Sequence, residues 1–312
     1  MRQITDSILM IRPVAFRMNE ETAVNNYFQK GTAAANDEIT QKAQFEFDTF
    51  VSKLRKVGVK VIVVDDILEN DTPDSIFPNN WISFHQNGDV ALYPMFAENR
   101  RRERREDILE ILEQEGFLIN TIFDYTKAEE EGVFLEGTGN LIIDRVNAKA
   151  YCALSPRANE ELLIEFCEDF ELFPVIFHAY QSVEEERKLI YHTNVMMCLA
   201  DDFAVICLDT IDDKKERKLV ISSLKEDNKE IIAINESQMH AFAGNMLQVE
   251  GAFGKKYLVM STTAYNALTE EQIKKITAHC EILHSDISTI ETLGGGSARC
   301  MMAEVFLPKK DI

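Results

Sequence analysis

GNLIIDRVNAKAYCALS, residues 139–155, opens on a glycine and an asparagine, runs apolar, breaks at Asn147-Ala148-Lys149 and resumes as a second apolar run. Two β-forming runs around a short turn cluster read as a β-hairpin. The pattern returns in NNWISFHQNGDVALYPM (79–95), TNVMMCLADDFAVICLDT (193–210) and GNMLQVEGAFGKKYLVMS (244–261), and in shortened form in GSARCMMAEVFLP (296–308). Aligned on Asn80, Asn140, Asn194, Asn245 and Ser297, the five copies are 60, 54, 51 and 52 residues apart. A spacing this regular is the signature of a repeat architecture.

Between hairpins lies a helical pattern followed by one more strand-like run: 36–57 with VKVIVVDD, 99–115 with FLINTIF, 156–171 with LFPVIFHAY, 213–229 with EIIAIN, and 269–279 with EILHSDIS. The fifth unit is one strand short, and the N-terminal run ILMIRPVAF (8–16) belongs to no unit. That run can supply the missing strand. The expected architecture is therefore a single α/β domain over 1–312, a five-fold pseudosymmetric α/β propeller closed by its N-terminal strand, which would leave no sheet edge exposed. A two-domain α/β chain with coincidental spacing is the alternative.

The chain has 312 residues, 53 acidic against 33 basic, and a formal charge of −20. Such a charge repels phosphate backbones and anionic lipid, which argues against nucleic-acid and membrane partners. The basic run NRRRERRED (99–107) reads as a solvated helix face. No stretch reaches the roughly 18–20 apolar residues of a membrane span, and the N-terminus lacks a signal-like pattern, so a cytoplasmic location is expected. Six cysteines without CxxC pairs argue against a disulfide framework and against a zinc site.

In a ring of such units the equivalent hairpin ends converge, and there the chemistry-bearing residues gather. Asp74 and Asn80 lie in TPDSIFPNNW, Glu136 in FLEGTGN, His192 in YHTN and Cys300 in GGGSARC. Four units thus bring two acids, a histidine and a cysteine to one mouth. A thiol near its free pKa of about 8.5 is mostly protonated at pH 7, so a nucleophilic Cys300 needs a base or a cation nearby. His192 can exchange a proton near neutrality, and Glu136 can orient the histidine or the substrate. Singly, each of these residues is more often structural; their shared repeat position is the argument.

At these residues the sequence resembles the guanidine-modifying enzymes of the pentein fold: dimethylarginine dimethylaminohydrolases, arginine deiminases and amidinotransferases. PDSIF with Asn80 resembles the stretch whose two acids grip a guanidinium, which places Asp74 in the first role and an amide in the second. LEGTGN resembles the family's acid followed by Gly-Gly-Asp, with Asn140 standing for the aspartate. YCALSPRAN resembles a hairpin exit whose arginine, here Arg157, holds the substrate carboxylate, and PMFAENRRRE a second such site at Arg100 or Arg101. His192 and Cys300 fall on the family's catalytic histidine and cysteine, and Asn194 joins the substrate-binding candidates. RPVAFRMNEETAVNNYFQ and FPNNW look most like the citrulline-utilisation hydrolases.

The resemblance implies covalent catalysis on a small amino-acid substrate without metal or organic cofactor. Cys300 attacks the central carbon, and His192 protonates the departing amine and then activates water. Glycines 294–296 would let the backbone approach the substrate closely. An amide offers both a donor and an acceptor, so Asn80 and Asn140 favour a ureido group such as that of citrulline, while Asp74 and Glu136 keep a guanidino substrate open. Amidino transfer to an amine and a non-catalytic binding role are the alternatives. A homodimer is left open.

Overall fold

The computed structural model describes residues 1–31 and 35–310. Its β-structure is a set of small sheets, four of them assembled from one hairpin and one later strand. The four predicted hairpins all form. β1 (Ser7–Arg12) and β2 (Lys60–Asp65) precede β3 (Ile82–Phe84), which pairs antiparallel with β4 (Asp89–Leu92), and β5 (Thr121–Asp124) lies parallel to β4. β6 (Ile142–Asp144), β7 (Lys149–Ala153) and β8 (Phe173–Phe177) repeat this pattern. After an additional hairpin of β9 (Tyr180–Val183) and β10 (Glu186–Leu189), it returns in β11 (Met197–Leu199), β12 (Phe203–Ile206) and β13 (Glu230–Ala233). β14 (Leu247–Glu250), β15 (Lys256–Ser261) and β16 (Glu281–Ser285) form the fourth such sheet. The extra β9–β10 hairpin was not legible in the repeat pattern.

The fifth sheet joins the two ends of the chain. β1 pairs parallel with β2 along six residues and antiparallel with β17 (Ala303–Glu304) at Ile8 and Leu9. The N-terminal run thus takes the place of the missing hairpin strand, as expected. Ile8, Leu9 and Met10 are fully buried there.

Helices cover the parallel strands because each has one apolar stripe. In Asn36–Lys56, Ile39, Ala43, Phe47, Phe50, Val51 and Leu54 recur at helical spacing and are buried. Asp37 and Glu38 in its first turn and Lys53, Arg55 and Lys56 in its last suit the helix dipole. The stretch expected as one helix over 99–115 forms two, Glu98–Arg101 and Asp107–Gln114. The reading of 99–107 as a solvated face is corrected here: Arg100 and Glu103 are buried against each other and draw the chain inward, while their neighbours stay at the surface.

Contacts between sheets run through the short segments that precede the first strand of each hairpin. The turn Gly137–Asn140, ahead of β6, packs against Pro78–Asn80 on one side and Thr193–Val195 on the other. Asn140 donates from Nδ2 to the Tyr191 carbonyl at 3.0 Å, and Asn245 to the Asn194 carbonyl at 3.0 Å. Two of the asparagines that mark the sequence repeat thus fasten one unit to the next.

Candidate active site

Cys300 follows the helix Ser288–Gly294 and a turn in which Gly295 takes φ +64°, a conformation that favours glycine. A Cβ at Gly295 would also lie 2.6 Å from the Asn26 side chain. The turn is tied down from both sides. Tyr191 Oη donates to the Gly295 carbonyl at 2.8 Å, and Ser297 Oγ donates to the buried Glu291 carboxylate at 2.6 Å.

The thiol, 5% exposed, receives two amide donors: Asn245 Nδ2 at 3.2 Å and Asn194 Nδ2 at 3.5 Å. The orientation of Asn245 follows from its other end, where Oδ1 accepts from the Arg299 backbone N–H at 3.0 Å. In the other five cysteines burial pushes the thiol pKa up, to about 12 in Cys167, Cys198 and Cys207.

His192 lies on extended backbone just before Thr193–Val195. Its Nε2 is 2.6 Å from Glu136 Oε2. Glu136 is fully buried; Oε1 accepts from the Phe96 backbone N–H at 2.9 Å, and Oε2 also faces Arg157 Nη1 at 3.3 Å. Burial alone would raise its pKa, but Arg157, His192 and Arg100 outweigh burial and hold it well below the usual carboxylate range. An ionised Glu136 accepts only, so it fixes the histidine proton on Nε2 and leaves the Nδ1 lone pair on the side of Gly139. Burial pushes His192 down to about 4 against the pull of Glu136, with Arg157 and Arg100 adding to the effect. The resting histidine is neutral.

Asp74 and Asn80 stand on the opposite wall. Asp74 Oδ2 accepts from Asn19 Nδ2 at 2.8 Å and Thr22 Oγ1 at 3.2 Å, whereas its Oδ1 is buried without a partner. Burial raises its pKa, partly offset by Arg100. Asn80 Oδ1 accepts from Arg100 Nη1 at 2.8 Å. Arginine can only donate, so this contact turns the amide nitrogen of Asn80 the other way, and that nitrogen too is buried without a partner. Arg100 is itself held side-on by Glu103, at 2.8 and 2.9 Å, and reaches the Phe77 carbonyl at 3.2 Å.

Together, Asp74, Asn80, Arg100, Arg157, His192 and Cys300 border one cavity of about 20 Å³. Of the two arginines left open by sequence, Arg100 is the one that faces it; Arg101 is turned to Glu129. Glu136 stands directly behind His192. Asn140 is placed apart from the cavity: its Oδ1 accepts from the Glu136 N–H and its Nδ2 binds the Tyr191 carbonyl, so both ends serve the backbone. Asn194 lies against the thiol through Nδ2, which also meets the Thr138 carbonyl at 3.4 Å; its Oδ1 is buried without a partner, and it is not among the residues that border this cavity. Arg157, read as a carboxylate clamp, pairs with Glu136 and donates to the Thr22 carbonyl and, through Nε at 3.0 Å and Nη2, to Asn25 Oδ1.

Sequence reasoning missed the segment that supplies Asn19, Thr22, Asn25 and Asn26. Those residues lie in NEETAVNN, an amide-rich stretch with no strand or long helix, and that composition was the available signal. Glu103, Asn245 and Gly139 were missed as well. Among the described residues, no group of three or more His, Cys, Asp or Glu side chains is arranged to hold a metal ion, and no helix is long and apolar enough to cross a membrane.

A family model described as N,N dimethylarginine dimethylhydrolase, eukaryotic, matches residues 12–307. No curated protein sequence matches the chain. Among solved structures, the chain is similar to apo ArgZ, an arginine dihydrolase from the ornithine-ammonia cycle in cyanobacteria, at 16% identity and TM-score 0.71, over 97% of this chain and 41% of that one. The N-terminal domain of ArgZ covalently bound to a reaction intermediate matches at 16% identity and TM-score 0.71, over 97% of this chain and 99% of that domain. A dimethylarginine dimethylaminohydrolase in adduct with S-methyl-L-thiocitrulline matches at 14% identity and TM-score 0.65, over 96% and 99% of the two chains. The chain thus spans 41% of the longer ArgZ protein while covering nearly all of its N-terminal domain.

Proposed function

The chain belongs to the N,N dimethylarginine dimethylhydrolase family, within the pentein superfamily of guanidine-modifying enzymes, and from this premise we propose that it is a cysteine-dependent hydrolase of a ureido amino acid, with citrulline as substrate. The observation that carries the reading is the pair of unpartnered groups beside Cys300: the Asn80 amide nitrogen, a donor, and Asp74 Oδ1, an acceptor. A ureido group presents an oxygen and N–H groups and fits both. A guanidinium presents only donors, so the Asn80 nitrogen would stay unsatisfied against it, at a cost of roughly 1–3 kcal/mol.

In the proposed reaction the Cys300 thiol gives its proton to the free Nδ1 of His192 as its sulfur adds to the ureido carbon. The bond from that carbon to the ornithine nitrogen breaks, and the departing amine takes its proton from His192. Water, deprotonated by His192, then attacks the carbamoyl-thioester; the carbon–sulfur bond breaks and carbamate leaves, to decompose to ammonia and carbon dioxide. The two amide donors on the sulfur stabilise the attacking thiolate and the thiolate leaving group alike. Arg157 would hold the substrate carboxylate once Asn25 vacates it. A 20 Å³ cavity has room for about one water, so an amino acid enters only when the segment bearing Thr22, Asn25 and Asn26 moves. The five sheets are read as blades of one closed propeller, supported by the β1–β17 pairing and by the asparagine links between neighbouring units.

Guanidino hydrolysis of arginine is the second reading, favoured by the family match and by the likeness to an arginine dihydrolase. Steady-state assays with citrulline, arginine, methylarginines and agmatine, scoring ornithine, citrulline and ammonia, test both. Ornithine and ammonia from citrulline, with the highest kcat/KM, are expected. A higher kcat/KM for arginine or a methylarginine would replace the ureido reading with the second one.

A further inference from the structure

A second cavity, of about 500 Å³, lies at the other end of the strands from Cys300. Asn80 precedes β3 and His85 follows it; likewise Asn140 precedes β6 and Arg145 follows it. Three-residue strands separate those ends by about 10 Å. The volume falls in the range of small-molecule sites.

Arg145 is the unusual group there. Its residue is 94% buried, being 6% exposed, and among the described residues no carboxylate lies within 4.0 Å of it. The carboxylate that acts on it electrostatically is Glu304, which is already paired with Arg299 at 2.8 Å. Among the described residues the only hydrogen bond of the Arg145 side chain reaches His85 Nδ1 at 3.4 Å, and its guanidinium lies 4.0 Å from the centre of the Phe306 ring. A guanidinium does not shed its proton in a protein, so burial leaves a charge with no carboxylate in direct contact among the described residues. His85 cannot supply one: burial and Arg145 hold it neutral, with Nε2 turned to Ser83 Oγ at 2.9 Å. Its ring stacks on Phe170 at 4.0 Å, and Phe170, which also packs on Phe166 at 4.6 Å, is among the residues that line the cavity.

We propose that this cavity is a binding site for a small organic monocarboxylate with a flat apolar body, the carboxylate pairing with Arg145 and the body lying against Phe170. A planar oxyanion matches the guanidinium fork and supplies the missing counter-charge. Asp169 and Glu171, exposed at the rim, oppose a doubly charged phosphate. This site is independent of the reaction proposed for Cys300.

Isothermal titration calorimetry with benzoate, phenyl phosphate and benzamide on the intact protein tests it. Saturable binding of benzoate is expected, with benzamide and phenyl phosphate each weaker. Arg145→Gln should weaken benzoate by about tenfold or more, because a charge-assisted bidentate pair is lost. Arg145→Lys, which keeps the charge without the fork, should weaken it by a smaller factor, and Glu171→Gln should tighten it by about twofold at low salt. These two variants decide the matter if Arg145→Gln fails to fold. Absence of saturable benzoate binding, tighter binding of phenyl phosphate or benzamide, or an affinity unchanged in both Arg145→Lys and Glu171→Gln overturns the proposal.

Discussion

Asn80 is a donor to the cavity only because Arg100 occupies its oxygen. In Asn80→Asp the same arginine would hold one carboxylate oxygen and the second would face the substrate as an acceptor. Hydrogen bonds to charged groups contribute about 1.5–3 kcal/mol, so the ratio of citrulline to arginine kcat/KM should fall by roughly tenfold or more. An unchanged ratio would make Asn80 a structural residue. Cys300 differs from the other five cysteines in the same local way. Among the described residues it is the one cysteine that receives two amide donors beside a cavity. Iodoacetamide on native protein, followed by peptide mass spectrometry, should modify Cys300 first; equal labelling of Cys280 counts against an activated thiol. The identities of Cys300, His192, Glu136, Asp74 and Asn80 were legible from repeat position and family resemblance. The orientation of the Asn80 amide was not, because it depends on Arg100, which is set in turn by Glu103.

At the scale of elements, the turn Gly137–Asn140 holds two walls of the site in place. A Cβ on Gly139 would stand 2.5 Å from Asn80 Nδ2 and 2.9 Å from His192 Nδ1. Both nitrogens would have to move, and both residues border the cavity beside Cys300. Gly139→Ala should therefore lower kcat/KM by about 100-fold or more, since small misplacements of reacting groups are costly, while far-UV circular dichroism stays native. Near-wild-type turnover would show that this turn does not position the pair. The sequence placed GTGN at a hairpin entry, with no sign that His192 and Asn80, from different units, both close on Gly139. The run 99–107 shows the reverse failure. Its charges read as surface, yet Arg100 and Glu103 neutralise each other and enter the interior as a pair.

For the molecule as a whole, the sheet that joins the chain ends is a stability element. Leu9 is fully buried and pairs with both β2 and β17. Leu9→Ala should cost about 2–5 kcal/mol, read as a lower urea midpoint; a loss under about 0.5 kcal/mol would mean that the terminal strand contributes little. Stability should also depend on pH through the His192–Glu136 pair. Burial lowers the folded His192 pKa to about 4, against about 6.5 unfolded, so between these values the unfolded chain binds the extra proton. Stability is present in full above pH 6.5 and declines as pH falls toward 4. Glu136, also depressed, adds to the loss below about pH 4.5. Urea midpoints should fall from pH 7 to 4, and His192→Gln should flatten the slope between 6.5 and 4.5; an identical slope in the variant would sink this assignment.

Alternation of apolar residues, turn clusters and a period of 51 to 60 residues are local properties, and they alone determined the hairpins, the following parallel strands and the need for the N-terminal run in the last sheet. They also placed the reactive residue types at equivalent hairpin ends. What a buried polar atom binds is decided by whichever distant segment arrives beside it. The donors on Cys300 come from 55 and 106 residues away, and the groups on Arg157 from 21 and 132. No local pattern encodes such meetings, because the cost of an unpaired buried group is settled only when the interior closes around it. Tertiary structure therefore decided which end of Asn80 is held by Arg100, which of the neighbouring arginines borders the cavity, and that the segment bearing Thr22 and Asn26 borders it too.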